Sequence, residues 1–422
     1  MNIRIGKEKF REGQVRIISS KSDIHRTMLA AALAEDETLL FMEGWSEDLE
    51  ATARCIDALG GEVAREISGT MVVPIERELT NEVLLNCGES GSTLRFLLPI
   101  TGALGRSAVF EGKGRLPERP IRILLEELEQ HGCTVEGEKL PVALNGKLVS
   151  GTYTLPGNIS SQFITGLLFA LPLLEGNSQI RLTTDIESKG YVDMTLRTLD
   201  KFGVKVEEIE TGYQVYGGQK YRTPRMVPVE GDWSNAAFWL AAGAMQGKIA
   251  CQGLDVNSAQ GDKAIMEVLE RFGAEVKVVM NQITAIKKEL QGIHIDVSQI
   301  PDLVPILCVV AAAAEGRTEI FNAGRLRLKE SDRLAVMAEC LKKIGVQVEE
   351  HPEGLTIIGG CNPPEELVTI DAHGDHRIVM AMAIAAASLG VELIIEGAEA
   401  VQKSYPSFFA EFTKLGGVAD VL

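Results

Sequence analysis

The chain has 422 residues and a formal net charge of −17. Apolar residues make up 45% of it and charged residues 24%, proportions that are ordinary for a globular protein. The negative charge argues against nucleic acid and anionic membranes as partners, although a cleft lined with cations could still bind a small anion. A chain of this length exceeds the roughly 250 to 300 residues at which one hydrophobic core stops growing, so two domains are expected.

The seven cysteines form no Cys-x-x-Cys pair, and their number is odd. Most lie in apolar segments, so we expect reduced thiols in a cytoplasmic protein, and neither disulfides nor a zinc site. The first 13 residues carry charges throughout, so no signal peptide is expected. The longest apolar run, residues 378–389, is too short to span a bilayer and predicts a buried helix. Nothing in the sequence demands a metal or an organic cofactor.

Six glycines recur along the chain, each four residues after an apolar residue and two or three residues before a valine. They are Gly60, Gly132, Gly203, Gly273, Gly345 and Gly416. The intervals between them are 72, 71, 70, 72 and 71 residues. Such a regular period predicts a structural repeat, in which each glycine is the left-handed residue that ends a helix and each valine opens a strand.

A polar cluster heads an apolar segment about 30 residues after each of the first five glycines. The clusters are residues 89–92, 160–162, 232–235, 301–302 and 374–377, and residues 21–23 form a sixth. Taken singly, each cluster is most simply interpreted as an ordinary helix N-cap. Between these markers each repeat reads strand, helix, strand, helix and a strand pair. Residues 93–103, 108–111, 121–132 and 133–136, for example, predict helix, strand, helix and strand.

Six mixed α/β repeats cannot share one core, so we predict two domains of three repeats each. The sixth repeat reaches the C-terminus six residues after Gly416, so a strand at residues 3–10 is expected to complete it. One domain then contains both termini, residues 1–19 and 230–422, and the other is an insertion, residues 20–229. The second crossing is expected near a polar stretch that contains Pro224 and Pro228.

Basic residues recur at the predicted helix starts. In Lys329-Glu330-Ser331-Asp332-Arg333 we predict the opening of a helix, with Lys329 and Arg333 four residues apart on one face. Paired cations at a helix start suit a phosphate or a carboxylate, and Glu330 beside them could exchange a proton. The simpler interpretation is a solvated face on which Glu330 pairs with Arg333. Similar cations occur near residues 21–26, 88–95, 112–120, 375–377 and 402–406, which together suggest an interdomain cleft for a polyanion.

These motifs, in this order, resemble the 5-enolpyruvylshikimate-3-phosphate synthase family over essentially the whole chain. The nine motifs are Lys21-Ser22 with Arg26, Gly88-x-Ser-Gly91-x-x-x-Arg95, Glu118-Arg119-Pro120, Ser160-Ser161-Gln162-Phe163, Ser188-Lys189-x-Tyr191, Pro301-Asp302, Lys329 to Arg333, Asp375-His376-Arg377 and Lys403-Ser404-Tyr405-Pro406. The resemblance implies an enolpyruvyl transferase-like α/β fold of two domains, each of three βαβαββ units, with the active site in the interdomain cleft. It also implies transfer of the enolpyruvyl group of phosphoenolpyruvate to the 5-hydroxyl of shikimate 3-phosphate, without a cofactor.

The resemblance also implies the roles of individual residues. Phosphoenolpyruvate would be held by Lys21, Gly91, Arg119, Gln162, Arg333, Arg377 and Lys403. Shikimate 3-phosphate would be held by Lys21, Ser22, Arg26, Ser160, Ser161, Gln162, Ser188, Tyr191, Asp302 and Lys329. Asp302 would take the hydroxyl proton, Glu330 would protonate the methylene carbon, and Lys21 would assist at the bridging oxygen. The simpler interpretations are that Asp302 only caps the helix at residues 303–314 and that Glu330 only pairs with Arg333.

Two residues depart from the family's pattern, and one matches a known inhibitor contact. Glu89 stands where the family often has asparagine, and Arg325 stands where some members have an asparagine that contacts the shikimate phosphate. Gly91 matches the glycine whose replacement by alanine crowds out glyphosate in this family, so we expect glyphosate to compete with phosphoenolpyruvate.

Three other functions remain as alternatives. UDP-N-acetylglucosamine enolpyruvyl transferases share the repeat but usually carry cysteine or aspartate five residues before the arginine of their Arg-Pro pair, where this chain has Gly114. RNA 3′-phosphate cyclases use a nucleophilic histidine on a polyanion, which the charge of −17 disfavours. A repeat scaffold without activity would leave the clustered cations unexplained. The expected partners are the two small substrates alone, with neither nucleic acid nor membrane, and a monomer is expected.

Overall fold

The chain forms two compact units in the computed structural model, which describes residues 1–76, 82–360 and 363–422. The terminal unit comprises Met1–Ile18 with Glu230–Leu422, and the inserted unit comprises Ser19–Val229. Each unit has its own hydrophobic core. Cys361, one of the seven cysteines predicted as reduced core thiols, lies outside the described residues.

The described residues contain 12 α-helices, six in each unit. They are α1 (Lys21–Ala32), α2 (Glu47–Ala58), α3 (Gly91–Leu104), α4 (Arg122–Gln130), α5 (Ser161–Ala170), α6 (Lys189–Lys201), α7 (Trp233–Gln246), α8 (Ile265–Phe272), α9 (Val304–Ala313), α10 (Arg333–Lys343), α11 (His376–Leu389) and α12 (Phe408–Lys414). Short 3₁₀ turns are formed by Leu116–Glu118, Leu171–Leu173, Gly261–Ala264, Pro301–Leu303, Gly324–Leu328 and Ala398–Lys403.

Twenty-four strands are formed by the same described residues. They are β1 (Asn2–Ile5), β2 (Gly13–Arg16), β3 (Thr38–Phe41), β4 (Glu62–Glu66), β5 (Gly69–Val73), β6 (Val83–Asn86), β7 (Ala108–Glu111), β8 (Cys133–Glu136), β9 (Val142–Gly146), β10 (Thr152–Leu155), β11 (Ser178–Leu182), β12 (Val206–Ile209), β13 (Gly212–Val215), β14 (Met226–Pro228), β15 (Lys248–Gln252), β16 (Glu275–Val279), β17 (Gln282–Ile286), β18 (His294–Asp296), β19 (Arg317–Phe321), β20 (Gln347–His351), β21 (Gly354–Ile358), β22 (Val368–Asp371), β23 (Leu393–Glu396) and β24 (Ala419–Val421).

The strands form six four-stranded sheets, three in each unit, which is one sheet for each repeat. The sheet of β6 to β9 shows the pattern: β6 is parallel to β7, and β9 lies antiparallel between β7 and β8. Helix α3 connects β6 to β7 and helix α4 connects β7 to β8, which confirms the predicted βαβαββ order. The six recurring glycines all have positive φ angles, from 74° at Gly203 to 110° at Gly273, as predicted for helix ends.

Three strands pair with strands that are far from them in the sequence. Strand β1 pairs antiparallel with both β23 and β24, so the chain start completes the last repeat as predicted, although the strand is shorter than residues 3–10. Strand β2 precedes α1 in sequence but pairs with β15 of the terminal unit. Strand β14 precedes α7 but pairs with β3 of the inserted unit. The repeats that contain α1 and α7 have therefore exchanged their first strands, which the sequence analysis did not predict.

The most apolar helices are buried on every side. In the terminal unit α7, α9 and α11 pack against one another, and Ile306, Leu307 and Val309 of α9 are fully buried. Helices that are apolar all round belong in a core, so residues 378–389 lie within a buried helix as predicted. Polar groups occur mainly at the N-terminal ends of these helices. Caps are provided by the side chains of Ser20, Ser90, Ser160, Asp232 and Asp375.

Within the described residues, no helix has both the length and the apolar character that a membrane crossing requires. The six described cysteines carry free thiols and are buried. Burial raises the pKa of Cys133 to about 11 and that of Cys340 to about 12. These six thiols therefore lie in apolar surroundings, as predicted.

Candidate active site

The carboxylate of Asp302 lies among three cations in the terminal unit. Its Oδ1 accepts a hydrogen bond from Arg333 Nη1 at 2.8 Å and lies 3.6 Å from Lys329 Nζ. Its Oδ2 accepts from Arg377 Nη2 at 3.1 Å. The side chains of Asp302, Arg333 and Arg377 are 14%, 1% and 7% exposed. Four residues predicted for the site are thus brought together in a largely buried ionic cluster.

Arg333 is shared by three carboxylates. Besides Asp302, its Nη2 donates to Glu330 Oε2 at 2.8 Å and its Nε donates to Asp375 Oδ2 at 2.8 Å. Burial opposes the charge of Arg333, but the three carboxylates, Asp375 first, outweigh burial and raise its pKa above the usual value. The guanidinium is therefore a fixed cation whose orientation is set on three sides.

Asp375 is the residue of this cluster whose role the sequence analysis missed. Its fully buried carboxylate accepts from Arg333, from Ser331 Oγ at 3.1 Å and from the backbone N–H of Arg377 at 2.9 Å. The last bond caps helix α11, so one carboxylate fixes both the helix start and Arg333. The position of Asp375 in the Asp-His-Arg motif predicts its role as an N-cap. Nothing in the neighbouring sequence predicts its ion pair with Arg333.

The predicted helix opening at Lys329 is wrong. Residues Gly324–Leu328 form a 3₁₀ turn, and α10 begins only at Arg333. The helix begins there because the Asp332 side chain accepts a hydrogen bond from the backbone N–H of Ala335 at 3.1 Å and acts as the N-cap. Lys329 and Glu330 therefore precede the helix. The i, i+3 pairing of Glu330 with Arg333 is nevertheless present.

Asp302 does not cap a helix. It lies in the 3₁₀ turn Pro301–Leu303, and neither this turn nor α9 has a side-chain cap. Its carboxylate contacts the cations instead, so the simpler interpretation of Asp302 is wrong. Lys329 beside it is affected by burial, which lowers its pKa to about 8, while Asp302 partly opposes the shift. Arg325, whose Nη2 donates to the carbonyl oxygen of Ser298 at 2.7 Å, adds to the lowering.

Arg377 makes a further contact in the same unit, and Lys403 is another cation there. Arg377 Nη2 also donates to Ser234 Oγ at 3.1 Å, and Ser234 donates to Asp232, the N-cap of α7, at 2.7 Å. Lys403 Nζ donates to the carbonyl oxygen of Gly374 at 2.8 Å, next to the start of α11. The starts of α7, α10 and α11 are thus linked through side chains that the sequence analysis placed in separate motifs.

In the inserted unit, α1 carries three of the predicted residues. Lys21 Nζ forms an ion pair with Asp48 Oδ2 of α2 at 2.6 Å, a partner that the sequence analysis missed. Arg26 donates from Nε to Thr195 Oγ1 at 2.9 Å, from Nη1 to the Ser22 carbonyl at 2.6 Å and from Nη2 to the Tyr191 carbonyl at 2.9 Å. Burial lowers the pKa of Arg26 to about 10. The structure therefore brings Ser22, Arg26 and Tyr191 together.

Gly91 is the first residue of α3 and lies under two guanidinium groups. A Cβ atom built on Gly91 would be 2.6 Å from Arg95 Nη1 and 2.9 Å from Arg119 Nη1. Arg95 Nη1 donates to Gln162 Oε1 at 2.8 Å, and Gln162 Nε2 donates to Ser92 Oγ at 2.9 Å. Gly91, Arg119 and Gln162 are thus brought together, and Arg95 joins them. Helix start and guanidinium groups form a suitable seat for an anion.

The remaining predicted serines lie at other helix starts of the inserted unit. Ser160 caps α5 by accepting from the backbone N–H of Gln162 at 3.3 Å, and Ser161 is buried in the first turn. Ser188 precedes α6 with φ of 54°, a left-handed conformation that is uncommon for serine. The residues predicted for each substrate are therefore divided between the two units, and Lys329, Arg333, Arg377 and Lys403 belong to the terminal one.

Glu89 occupies a defined place beside the glycine-rich turn. Its carboxylate lies against Gly114, where an added Cβ would collide with it. Gly114 also has a φ of 60°, which favours glycine. Among the described residues, no group of three or more His, Cys, Asp or Glu side chains is placed to hold a metal ion.

Comparison with known proteins identifies the family. The family model described as EPSP synthase (3-phosphoshikimate 1-carboxyvinyltransferase) matches residues 6–412. A relative of that name from Clostridium acetobutylicum is 43% identical over 415 residues, 96% of this chain and 95% of the relative. One from Clostridium kluyveri is 42% identical over 412 residues, 97% of this chain and 96% of the relative. A solved EPSP synthase structure from Acinetobacter baumannii has a TM-score of 0.80 at 25% identity and covers 100% of both chains. The chain therefore belongs to the EPSP synthase (3-phosphoshikimate 1-carboxyvinyltransferase) family.

Proposed function

We propose that the ionic cluster of the terminal unit and the helix starts of the inserted unit serve one reaction, with Asp302 and Glu330 as its proton-transfer groups. The chain transfers the enolpyruvyl group of phosphoenolpyruvate to the 5-hydroxyl of shikimate 3-phosphate and releases phosphate, a step of the shikimate pathway. The observation that carries the assignment of roles is the carboxylate of Asp302, held by two nearly buried arginines and a lysine.

Electrostatics explain why the site needs so many cations. Each substrate carries a phosphate with a charge of about −1.5 to −2 at neutral pH, together with a carboxylate. Fixed guanidinium and ammonium groups can hold these anions side by side without the cost of reorganising water. The carboxylates paired with Arg333 and Arg377 keep these cations oriented.

We assign one set of residues to each substrate, and Lys21 and Gln162 belong to both sets. For phosphoenolpyruvate the set is Lys21, Gly91, Arg119, Gln162, Arg333, Arg377 and Lys403. For shikimate 3-phosphate it is Lys21, Ser22, Arg26, Ser160, Ser161, Gln162, Ser188, Tyr191, Asp302 and Lys329. The position of Gly91 under the two guanidinium groups supports an anion at the start of α3. The three hydrogen bonds of Arg26 support a rigid contact for the second substrate.

The two carboxylates suit opposite proton transfers. In the addition step, the 5-hydroxyl oxygen bonds to C2 of phosphoenolpyruvate, its proton passes to Asp302, and Glu330 protonates the C3 methylene. In the elimination step, the bond from C2 to the phosphate oxygen breaks, and C3 returns a proton to Glu330, which restores the double bond. The proton held by Asp302 leaves with the phosphate. Asp302 begins ionised because Arg333 and Arg377 hold it. Substrate anions that compete for Arg333 would weaken its pairing with Glu330 and favour the protonated acid.

The surroundings of Gly114 favour this reaction over that of UDP-N-acetylglucosamine enolpyruvyl transferases. Those enzymes usually carry a reactive cysteine or an aspartate at this place. Here the Glu89 carboxylate fills the space that such a side chain would need. We further propose that the chain acts as a monomer in the cytoplasm, that the two units are its domains, and that glyphosate competes with phosphoenolpyruvate beside Gly91.

Exchange of the vinyl hydrogens of phosphoenolpyruvate in D₂O, with shikimate 3-phosphate present, tests the proton roles. The wild-type protein should incorporate deuterium at C3. Addition of a deuteron turns C3 into a methyl group, and the hydrogen that then leaves can be any of the three. Glu330→Gln should lose this exchange by about 10²-fold or more. Glu339→Gln removes an exposed carboxylate of α10 that pairs with Lys343 at 2.9 Å, and it should exchange normally. Exchange by Glu330→Gln at the wild-type rate would exclude Glu330 as the acid.

A further inference from the structure

Four buried side chains of the inserted unit form a continuous chain of hydrogen bonds. His25 Nδ1 lies 2.8 Å from Thr52 Oγ1, and Thr52 Oγ1 lies 2.7 Å from Thr93 Oγ1. Thr93 Oγ1 donates to Ser90 Oγ at 2.7 Å. The chain passes from α1 through α2 to the N-cap of α3, and none of its members is more than 1% exposed.

The direction of every bond follows from the number of protons available. Each threonine hydroxyl has one proton to donate. Thr93 gives its proton to Ser90, so Thr52 must donate to Thr93. The proton between His25 and Thr52 must then come from the ring, which makes His25 the Nδ1–H tautomer. Nε2 is consistent with this, because it is buried without a hydrogen-bond partner among the described residues.

Burial and the surrounding charges keep the ring neutral. Burial, followed by the charges of Lys21 and Arg26, lowers the pKa of His25 well below its usual value. A neutral ring has one N–H, and the chain fixes it on Nδ1. In water the Nε2–H tautomer of histidine is the more common one, so the arrangement is a specific consequence of the fold.

The hydrogen-bond chain lies one helical turn from the ion pair of Lys21 with Asp48, and the proposed function uses this lysine. Lys21 and His25 are four residues apart on α1, and their partners Asp48 and Thr52 are four residues apart on α2. Residues at this spacing share one face of a helix. Helices α1 and α2 are therefore joined by two polar contacts one turn apart, and Thr52 extends the second contact to α3.

We infer that His25, Thr52, Thr93 and Ser90 are positioning residues that hold Lys21 in register with the start of α3, where phosphoenolpyruvate is expected to bind. The inference rests on the proposed function only for the identity of that ligand. Lys21 lies on α1 and Gly91 on α3, so a ligand that contacts both residues depends on the register of these two helices. Arg26 is held separately by Thr195 and by backbone carbonyls, so its contact to shikimate 3-phosphate does not depend on the hydrogen-bond chain, although Lys21 is shared by both substrates.

The tautomer can be measured directly. Protein labelled with ¹⁵N-histidine gives separate long-range ¹H–¹⁵N signals for its six histidines, and His25→Asn identifies the signal of residue 25 by its disappearance. We expect a protonated Nδ1 and an unprotonated Nε2 between pH 6.5 and 8. A protonated Nε2, or rapid exchange between both tautomers, would overturn the inference whether or not the protein has the proposed activity.

Steady-state kinetics provide the second test through a matched pair of variants. His25→Asn places an amide N–H near the position of Nδ1–H and should keep KM for phosphoenolpyruvate within about twofold of wild type. Leucine branches at Cγ as asparagine does but has no donor. His25→Leu should therefore raise this KM by about fivefold or more, as loss of one buried hydrogen bond implies. KM for shikimate 3-phosphate, which Lys21 contacts together with Arg26, should rise less than KM for phosphoenolpyruvate in His25→Leu and stay within about twofold of wild type in His25→Asn.

Two further variants separate positioning from folding. Thr52→Val removes the central hydroxyl and should raise KM for phosphoenolpyruvate as His25→Leu does, so it serves if His25→Leu does not fold. Thr101→Val removes a buried hydroxyl of α3 that has no hydrogen-bond partner among the described residues, and it should leave both KM values unchanged. Equal effects of Thr52→Val and Thr101→Val on KM would overturn the inference. Absence of any turnover in the wild type would instead refute the proposed function.

Discussion

Replacing Asp302 with asparagine separates its proton-transfer role from its structural one. Asparagine keeps the shape of the side chain but turns one acceptor oxygen into an N–H₂ group that faces Arg333 or Arg377. A lost general base lowers kcat by about 10²- to 10⁴-fold. Loss of the charge leaves two nearly buried arginines less well compensated, which costs about 2 to 4 kcal/mol of unfolding free energy. KM for phosphoenolpyruvate should not rise, because removing a carboxylate leaves the cations more available to the substrate.

The measurement pairs stopped or continuous phosphate release with thermal unfolding followed by circular dichroism. Asp332→Asn is the matched control because Asp332 caps α10 and pairs with Arg327 at 3.0 Å, and asparagine is an equally good cap. This control should keep kcat within about twofold. A fall in kcat of less than about tenfold for Asp302→Asn, together with the expected loss of stability, would show that Asp302 only orients the arginines and would refute its role as the base.

Three further predictions follow from the same geometry. The cation at Lys329 is lost as the pH rises through its lowered pKa of about 8, so kcat/KM for shikimate 3-phosphate should fall above that pH, and Lys329→Arg should remove the fall; an unchanged profile in the variant would contradict the assignment. Gly91→Ala places a Cβ 2.6 Å from Arg95 Nη1 and 2.9 Å from Arg119 Nη1, so both must move, and KM for phosphoenolpyruvate and the inhibition constant of glyphosate should rise by about tenfold or more. Gly102→Ala, further along the same helix, should change the Tm but neither constant. The six buried thiols should react with a chromogenic disulfide only on unfolding, and rapid reaction of several in the native protein would contradict their burial.

Much of the fold could be predicted because its signals are local. A glycine after an apolar helix, a serine or aspartate before one, and a valine at a strand start each act within a few residues. Their repetition made the assignment of six βαβαββ repeats independent of any single signal. The exchange of β2 and β14 could not be predicted in this way, because strand pairing across more than 180 residues leaves no mark in a short window of sequence.

The candidate site was predictable where residues lie in one motif and unpredictable where partners are distant. Glu330 and Arg333 are three residues apart, and their pairing was foreseen. Asp375 contacts Arg333 across 42 positions and Asp48 contacts Lys21 across 27, so neither partner could be found by spacing. The sequence analysis places the start of α10 too early, although Asp332 has a residue type that favours the N-cap position.

The assignment of residue roles depends on resemblance to the family, and the structure adds physical reasons for several of them. Arg333 and Arg377 lie where they can hold Asp302 ionised, which a base requires. Gly91 lies where no larger residue fits without moving two arginines. The contacts of both substrates remain predictions, and the D₂O exchange and the variants above test them one group at a time.

Phosphate release from phosphoenolpyruvate by the purified protein, with either shikimate 3-phosphate or UDP-N-acetylglucosamine as the acceptor, tests the central claim most directly. The proposed function predicts release with shikimate 3-phosphate alone, and one 5-enolpyruvylshikimate 3-phosphate formed for each phosphate. Release only with UDP-N-acetylglucosamine, or release with neither acceptor, would contradict it.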